Sequence, residues 1–506
     1  MTTGRENLLS SLAEHSILLR SDCGGKGTCG KCLVNVISGN DKKHLIPACT
    51  IHPEEDMDID IPDDSLFSAE VITKPPITFP QGFTSTLPEP SCSPPRNLGM
   101  AIDLGTTTIA FYLMDTNSGH LLGSTAVKNP QSMFGDDVVS RIGFIGDSER
   151  KLRKLQRLVA GALNWGISLL LNQQQLPSWD LQKTIVVGNP TMLHILLGVS
   201  PASIGVSPYT PAFYSPQPAQ GTIISEAFSH LDIDTLPQIS GFIGGDILAA
   251  AIACELDYQD VGTLILDLGT NGELILKTED GYLATSCATG PAFEGATLSC
   301  GIQAIPGAID SIKIDEELQP SVTLIPKNGA AINPLGICGS GIISGVASLL
   351  QARVILKSGA FNPAIETPHI IIDTSGKRFI LHGENQSEIS ISQKDIRHIQ
   401  LGKSALITGI NALLKTARQQ KPSKIIVTGA FGAHLNKYDL LTLGMLPAIN
   451  PERIYCAGNG AGAGAAMALC NDGLLQKAHE ISTQTTVLNL VDDSDFQMSF
   501  VRNLAF

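Results

Sequence analysis

The chain has 506 residues, room for about three domains of ordinary size, and its 43% hydrophobic and 16% charged content excludes wholesale disorder. Its 34 basic and 48 acidic residues leave a net charge of −14, which argues against a broad nucleic-acid surface and gives no polybasic membrane anchor. The opening MTTGRENLLSSLAEHS lacks the pattern of a secretory leader and no stretch approaches the ~18 apolar residues of a span, so a cytoplasmic location is expected, with no nucleic-acid or membrane partner.

Residues 1–62 read as a small α+β module. Leu8, Leu9 and Leu12 fit one face of a short helix, and Leu33, Val34 and Val36, then Met57, Ile59 and Ile61, fit strands. Four of the 11 cysteines lie between Cys23 and Cys49, and in a reducing compartment such clustering favours a metal site over disulfides. The spacing of Cys23, Cys29, Cys32 and Cys49 is C-x5-C-x2-C-x16-C. It resembles the loop of plant and adrenal ferredoxins, and that resemblance implies a β-grasp module whose four thiolates hold the iron of a [2Fe-2S] cluster. Gly24, Gly25, Gly27 and Gly30 suit the part, since they let the backbone wrap closely and turn N–H groups toward sulfur. A four-cysteine zinc site is the alternative, although zinc ribbons usually show two C-x2-C knuckles. The run Gly25 to Cys32 also reads G-x4-G-K-C, but cysteine stands where a phosphate loop needs Ser or Thr and no strand precedes it. The acidic run EEDMDID reads as a solvated edge of the module.

Residues 63–97, with KPPITFP and LPEPSCSPP, have the composition of a semi-stiff connector. Such a linker is expected to let the module swing between an electron donor and an acceptor.

From residue 98 to 506 apolar strands ending in Gly/Thr-rich turns alternate with helical stretches, as in an α/β domain. Two units repeat, MAIDLGTTTIAFYLMD from Met100 and TLILDLGTNGELILK from Thr263, with Asp103 and Asp267 standing 164 residues apart. That separation suits a duplicated lobe. In each unit a glycine allows close backbone approach and threonines offer N–H and hydroxyl donors, a good phosphate grip: Gly105, Thr106, Thr107 and Thr108 in the first, Gly269, Thr270, Asn271 and Gly272 in the second. Asp103 and Asp267 are placed to bind Mg2+ through water. A third strand, KIIVTGAFGAHLN, brings Gly429 and Gly432 for an adenosine to lie against. A lone DLGTTT reads equally as an ordinary glycine-turn hairpin; two copies with the GAFG strand favour ATP. The tract GNGAGAGAAMAL from Gly458 suits either a helix packed under the nucleotide or close helix packing alone. Cys287, Cys300 and Cys338 read as structural thiols, and His194, within NPTMLHILLG, as a packing histidine.

Together these units resemble the superfamily of acetate and sugar kinases, heat-shock 70 and actin. The resemblance implies a duplicated ribonuclease-H-like, two-lobed ATPase domain over 98–506. The whole chain, through NPQSMFGDDVVSRI, VVGNPTMLHILLGV and SCATGPAFEGATLSCGIQAIPGAI as well, looks like the reductive activators of corrinoid proteins. That resemblance implies ATP-dependent, one-electron reduction of Co(II) to Co(I) on a corrinoid protein of a methyltransferase system, fed by an upstream low-potential electron donor. A homodimer is left open. Two departures from the family are expected: the module lacks a leading hairpin, and the middle domain is absent, its place taken by the linker. No cysteine follows Cys470, which separates the chain from relatives with C-terminal clusters. Two other readings stay open: a small-molecule kinase of the acetate/sugar kinase superfamily with a redox-sensing module, and a redox scaffold whose ATP site only sets conformation.

Overall fold

The computed structural model describes residues 7–21, 24–27, 30–38, 42–53, 56–62, 65–66, 97–295, 298–326, 333–374, 376–383, 388–429, 434–490 and 495–506. Cys23, Cys29, Gly432 and nearly all of the expected linker lie outside them. The described residues form two compact units, one drawn from 1–71, 87–244 and 468–471, the other from 245–467 and 472–506.

The first unit begins with helix α1 (Leu8–Glu14), which Asn7 caps by accepting the Ser10 N–H. Strands β1 (Leu33–Ser38), β2 (Lys42–Pro47) and β3 (Asp58–Asp60) follow in an antiparallel sheet of order β2-β1-β3. Strand β2 has no counterpart in the sequence reading, because its Lys-Lys-His start carries no apolar alternation. Leu8, Leu9, Leu19, Val34 and Ala48 bury a small core together with Cys32 and Cys49.

The larger sheet of this unit holds β4 (Leu98–Leu104), β5 (Thr108–Asp115), β6 (His120–Lys128), β7 (Leu181–Val187), β8 (Ala219–Gln220) and β9 (Asp232–Thr235), in the order β6-β5-β4-β7-β9-β8. Every residue of β4 is buried, as suits a central strand. Helices α2 (Val138–Ile145), α3 (Glu149–Gln173) and α4 (Pro190–Leu196) belong to the same unit.

The second unit starts at α5 (Gly245–Ala253) and builds a sheet from β10 (Thr263–Leu268), β11 (Gly272–Thr278) and β12 (Gly281–Cys287). Two smaller sheets are inserted next, β13 (Ala308–Ile314), β14 (Pro320–Leu324) and β15 (Gly336–Ile337), then β16 (Ile370–Asp373), β17 (Gly376–His382) and β18 (Ile389–Ser392), with α6 (Gly339–Gln351) between them. After α7 (Gln393–Thr416) come β19 (Lys424–Thr428), α8 (Lys437–Thr442), β20 (Ile454–Cys456), α9 (Gly460–Cys470), α10 (Asp472–Thr483), β21 (Thr485–Val487) and α11 (Phe496–Arg502). The main sheet runs β20-β19-β10-β11-β12-β21.

Both main sheets share one plan. The strand ending in Asp-Leu-Gly-Thr is central, its two antiparallel successors lie on one side, and two parallel strands lie on the other. A long helix precedes the first parallel partner in each case, α3 with 25 residues and α7 with 24. Among the described residues no helix is long and apolar enough to cross a membrane.

Candidate functional site: two acidic hairpins and a glycine-rich cysteine loop

Asp103 sits near the end of β4 and is buried, 7% exposed. The turn that follows closes on a hydrogen bond from Gly105 N to Thr108 O at 3.1 Å. Gly105 is obligatory there, because a Cβ would come within 2.5 Å of Thr108 O. The turn is closed so tightly that no side chain fits at Gly105.

Two stretches of chain support this turn. Asn129 donates its backbone N–H to Thr107 O at 2.8 Å and its side-chain amide to Gly105 O at 3.0 Å. Arg141, fully buried, donates to Thr106 O at 2.6 Å, Gly135 O at 3.0 Å and the Gln131 side-chain oxygen at 3.0 Å. Asn189 caps α4 and donates to the Thr106 hydroxyl at 2.9 Å. The blocks NPQSMFGDDVVSRI and GNPTMLH are therefore the buttress of the first hairpin. Asn129, Arg141 and Asn189 escaped the sequence reading, since their acceptors are mainly backbone carbonyls, which no motif records.

The second hairpin repeats the device. Asp267 is the penultimate residue of β10, and Gly269 N donates to Asn271 O at 2.9 Å. Thr270 is buried and donates its hydroxyl to Glu294 at 3.1 Å, while Thr289 donates to Thr270 O at 3.1 Å. Thr428, at the end of β19, donates to the Asp267 carboxylate at 3.0 Å. The next residue, Gly429, has φ +120° and passes so close that a Cβ would lie 2.2 Å from Leu268 O. Gly429 thus stands beside the second hairpin.

More carboxylates gather here than the motif announced. Glu273 lies directly across from Asp267 in the β10–β11 register. Burial, with Asp246 and Asp267 nearby, raises its pKa well above the carboxylate range. Gly339, opening α6, abuts Phe293 O and Glu294. Ser340 beside it donates to Asp310, which also faces His434 Nδ1 at 3.6 Å. Burial alone would raise Asp310, but hydrogen bonds from His434 and Ser340 outweigh it and hold the carboxyl low, and the same pairing raises His434.

The cysteine loop has the backbone a cluster needs. Gly24, Gly25, Gly27 and Gly30 all adopt positive φ, between +61° and +80°, the left-handed region that side chains disfavour. Cys32 and Cys49, buried at 1% and 7% exposure, share one small core and are tied by the Ala48 N to Cys32 O hydrogen bond at 2.7 Å. Two buried thiols beside four glycines in this conformation fit the ligand set of a cluster.

The module is docked against α3, a resting place that the linker composition alone did not indicate. Glu14 at the end of α1 meets Lys154 at 2.5 Å and Arg157 at 2.6 Å, and the Glu14–Lys154 pair is buried, each side chain under 10% exposed. Asn164 donates to the Ser16 hydroxyl at 2.8 Å. Gly161 of α3 is where α1 presses in, for a Cβ there would lie 2.1 Å from Ala13 O. Ala13 and Leu18 are buried in the core of the larger sheet.

The discounted residues behave as expected. His194 Nδ1 donates to Pro190 O at 2.7 Å, Nε2 accepts from Ala212 N at 2.9 Å, and the ring stacks on Phe213. Burial pushes the Cys287 thiol up to about 12, and burial raises Cys338 too, so neither is a ready ligand. The glycine tract forms α9, in which Gly464 abuts Ala249 O of α5 and a Cβ would lie at 1.8 Å. Close helix packing accounts for that glycine.

Comparison with known proteins brings these parts under one heading. A family model described as the C-terminal, ASKHA domain of RACo matches residues 262–506, and one for the RACo middle region matches residues 98–259. The chain belongs to the RACo family. It is 28% identical to the corrinoid activation enzyme RamQ of Eubacterium limosum, over 99% of this chain and 96% of that protein. It is 24% identical to the [Co(II) methylated amine-specific corrinoid protein] reductase of Methanosarcina barkeri, over 75% and 70% of the two chains. A solved reductive activator for corrinoid, iron-sulfur protein superposes with a TM-score of 0.77 at 27% identity, covering 99% of this chain and 95% of that one. The fold is thus α/β with an ASKHA domain of the actin and heat-shock 70 kind. One expectation is overturned. The RACo middle region, expected to be absent, is present as the 98–259 segment that carries the first hairpin.

Proposed function

We infer that this chain is an ATP-dependent activator that reduces the Co(II) of a corrinoid protein to Co(I), one electron at a time. The observation that most supports this reading is the combination, in one RACo-family chain, of the glycine-built cysteine loop with two acidic phosphate hairpins. In it Cys23, Cys29, Cys32 and Cys49 hold a [2Fe-2S] cluster on a small ferredoxin-like, β-grasp module, residues 1–62. A cluster of that type supplies single electrons at about −400 mV. The remainder, 98–506, is a duplicated ribonuclease-H-like ATPase. In its first copy Gly105 to Thr108 present backbone and hydroxyl donors to phosphate and Asp103 holds Mg2+ through water. In its second copy Gly269 to Gly272 and Asp267 do the same, with Gly429 and Gly432 admitting the adenosine.

ATP is needed because cobalt reduction runs uphill from such a donor. Every ~59 mV against a single electron is a tenfold unfavourable ratio. Nucleotide binding offsets that ratio only if it favours one redox complex of the two proteins over the other. A low-potential donor upstream, a cytoplasmic setting and a corrinoid protein of a methyltransferase system complete the reading.

The test is anaerobic. Purified protein should carry about two irons and two sulfides per chain, and with ATP and Mg2+ it should convert a Co(II) corrinoid protein to the Co(I) spectrum. Asp103→Ala and Asp267→Ala should each slow Mg-dependent hydrolysis by about 10 to 100-fold. One zinc per chain and no visible absorbance would overturn the cluster, and cobalt reduction indifferent to ATP would overturn the coupling.

A further inference from the structure

The stretch Lys128 to Asp136 touches the phosphate hairpin and the cysteine loop at once. Toward the hairpin, Asn129 holds Gly105 O and Thr107 O, and Gln131 receives Arg141, which holds Thr106 O. Toward the loop, Lys128 Nζ donates to Ser21 O at 3.3 Å, and Ser21 in turn receives the N–H groups of Gly24 and Gly25. A Cβ on Gly24 would stand 3.3 Å from Ser132 O, and one on Gly25 would stand 3.0 Å from Met133 Cγ. Lys26 pairs with Asp136 at 2.5 Å.

Met133 packs against the core of the module and against the core of the larger sheet. Between the two sets of contacts lies a single 3-10 turn, Pro130–Met133, closed by Ser132 N to Asn129 O at 3.1 Å and Phe134 N to Gln131 O at 2.9 Å. A short, hydrogen-bonded turn wedged between two close-packed cores does not absorb a small displacement at one end. It passes the displacement on.

We propose that Asn129 and Met133 are positioning residues of one strap, through which a phosphate held at residues 105–108 sets the conformation of the cluster loop. The proposal rests on the cluster and ATP assignments made above. Coupling of this kind is reciprocal, so the redox state of the loop must change nucleotide affinity by the same factor that nucleotide changes the oxidised-to-reduced ratio.

The experiment measures affinity for a non-hydrolysable ATP analogue with Mg2+ in the oxidised and the dithionite-reduced protein, and hydrogen exchange of residues 21–32 with and without the analogue. Wild type should show affinities differing by about fivefold or more, the usual lower range for coupled sites, and altered exchange in the loop. Met133→Ala empties the space facing Gly25, so the affinity ratio should fall toward one and the exchange response should vanish, while Met133→Leu should restore both. Should Met133→Ala fail to fold, Lys26→Ala cuts the strap at an exposed pair and should weaken the same two readouts. Equal affinities in the two redox states of a cluster-loaded, cobalt-reducing wild type would overturn the strap and leave the function standing. A protein that loads no cluster would overturn the function first.

Discussion

His194 shows what burial does to an imidazole that nothing recruits. Both ring nitrogens are satisfied by backbone groups, and burial lowers its pKa more than the Pro190 hydrogen bond raises it. The folded protein therefore resists protonating it, while the unfolded chain takes a proton below about pH 6.5. Because the unfolded state binds more protons there, this contribution to stability is whole above pH 6.5 and is lost as the pH falls below it. Denaturant midpoints measured from pH 7.5 to 5 should fall with acid, and His194→Gln, less stable at pH 7.5, should show a flatter decline; an unchanged slope would return the titration to other groups. At this scale the sequence was readable wherever a residue type is tied to a backbone need, as with the four loop glycines and Gly105. It was not readable for Glu273 or Asp310, whose importance comes from neighbours distant in the chain.

At the scale of the element, the duplicated hairpins were legible because an apolar strand followed by Asp-Leu-Gly-Thr has few other uses, and the matching order of the two sheets gives the physical sense of the repeat. The buttress was not legible. Arg141 is a fully buried cation that donates to two carbonyls, one amide oxygen and the Met192 sulfur, a pattern without a sequence signature. A guanidinium reaches these in a fixed fork, and an ammonium on a flexible stem cannot. Arg141→Lys should leave at least one buried carbonyl unpaired, at about 1–3 kcal/mol, and loosen the turn at Thr106. Thermal unfolding should begin several degrees lower, and the KM for ATP should rise more than the iron content falls; an unaltered KM would show that the hairpin holds its shape without this support.

For the molecule as a whole, the linker composition did not disclose that the module docks, and the docking surface is visible in α3. A proline-rich stretch tells of a connector's stiffness but nothing of where the connected part comes to rest. The resting place is recorded instead in Gly161, Lys154 and Asn164, residues that look like ordinary helix positions until α1 is laid against them. Undocking would separate the Glu14–Lys154 pair and expose Ala13 and Leu18, which are buried in the core of the larger sheet, to water. Docking does not hide the loop, since Lys26, Gly27 and Gly30 stay exposed and a Cβ on Gly30 would meet nothing within 4 Å. The loop thus leans on the Lys128–Asp136 stretch through Gly24 and Gly25 while Gly27 and Gly30 face solvent. Replacing Ser16 and Asn164, which already touch at 2.8 Å, by a pair of cysteines and oxidising them would lock α1 to α3. The locked protein should reduce cobalt at a rate within about twofold of its reduced, unlocked form, far inside the tenfold that a 1.4 kcal/mol barrier would impose. A rate that collapses on locking and returns with a thiol reductant would mean that the module leaves its seat in every turnover, and that the buried Glu14–Lys154 pair is a latch.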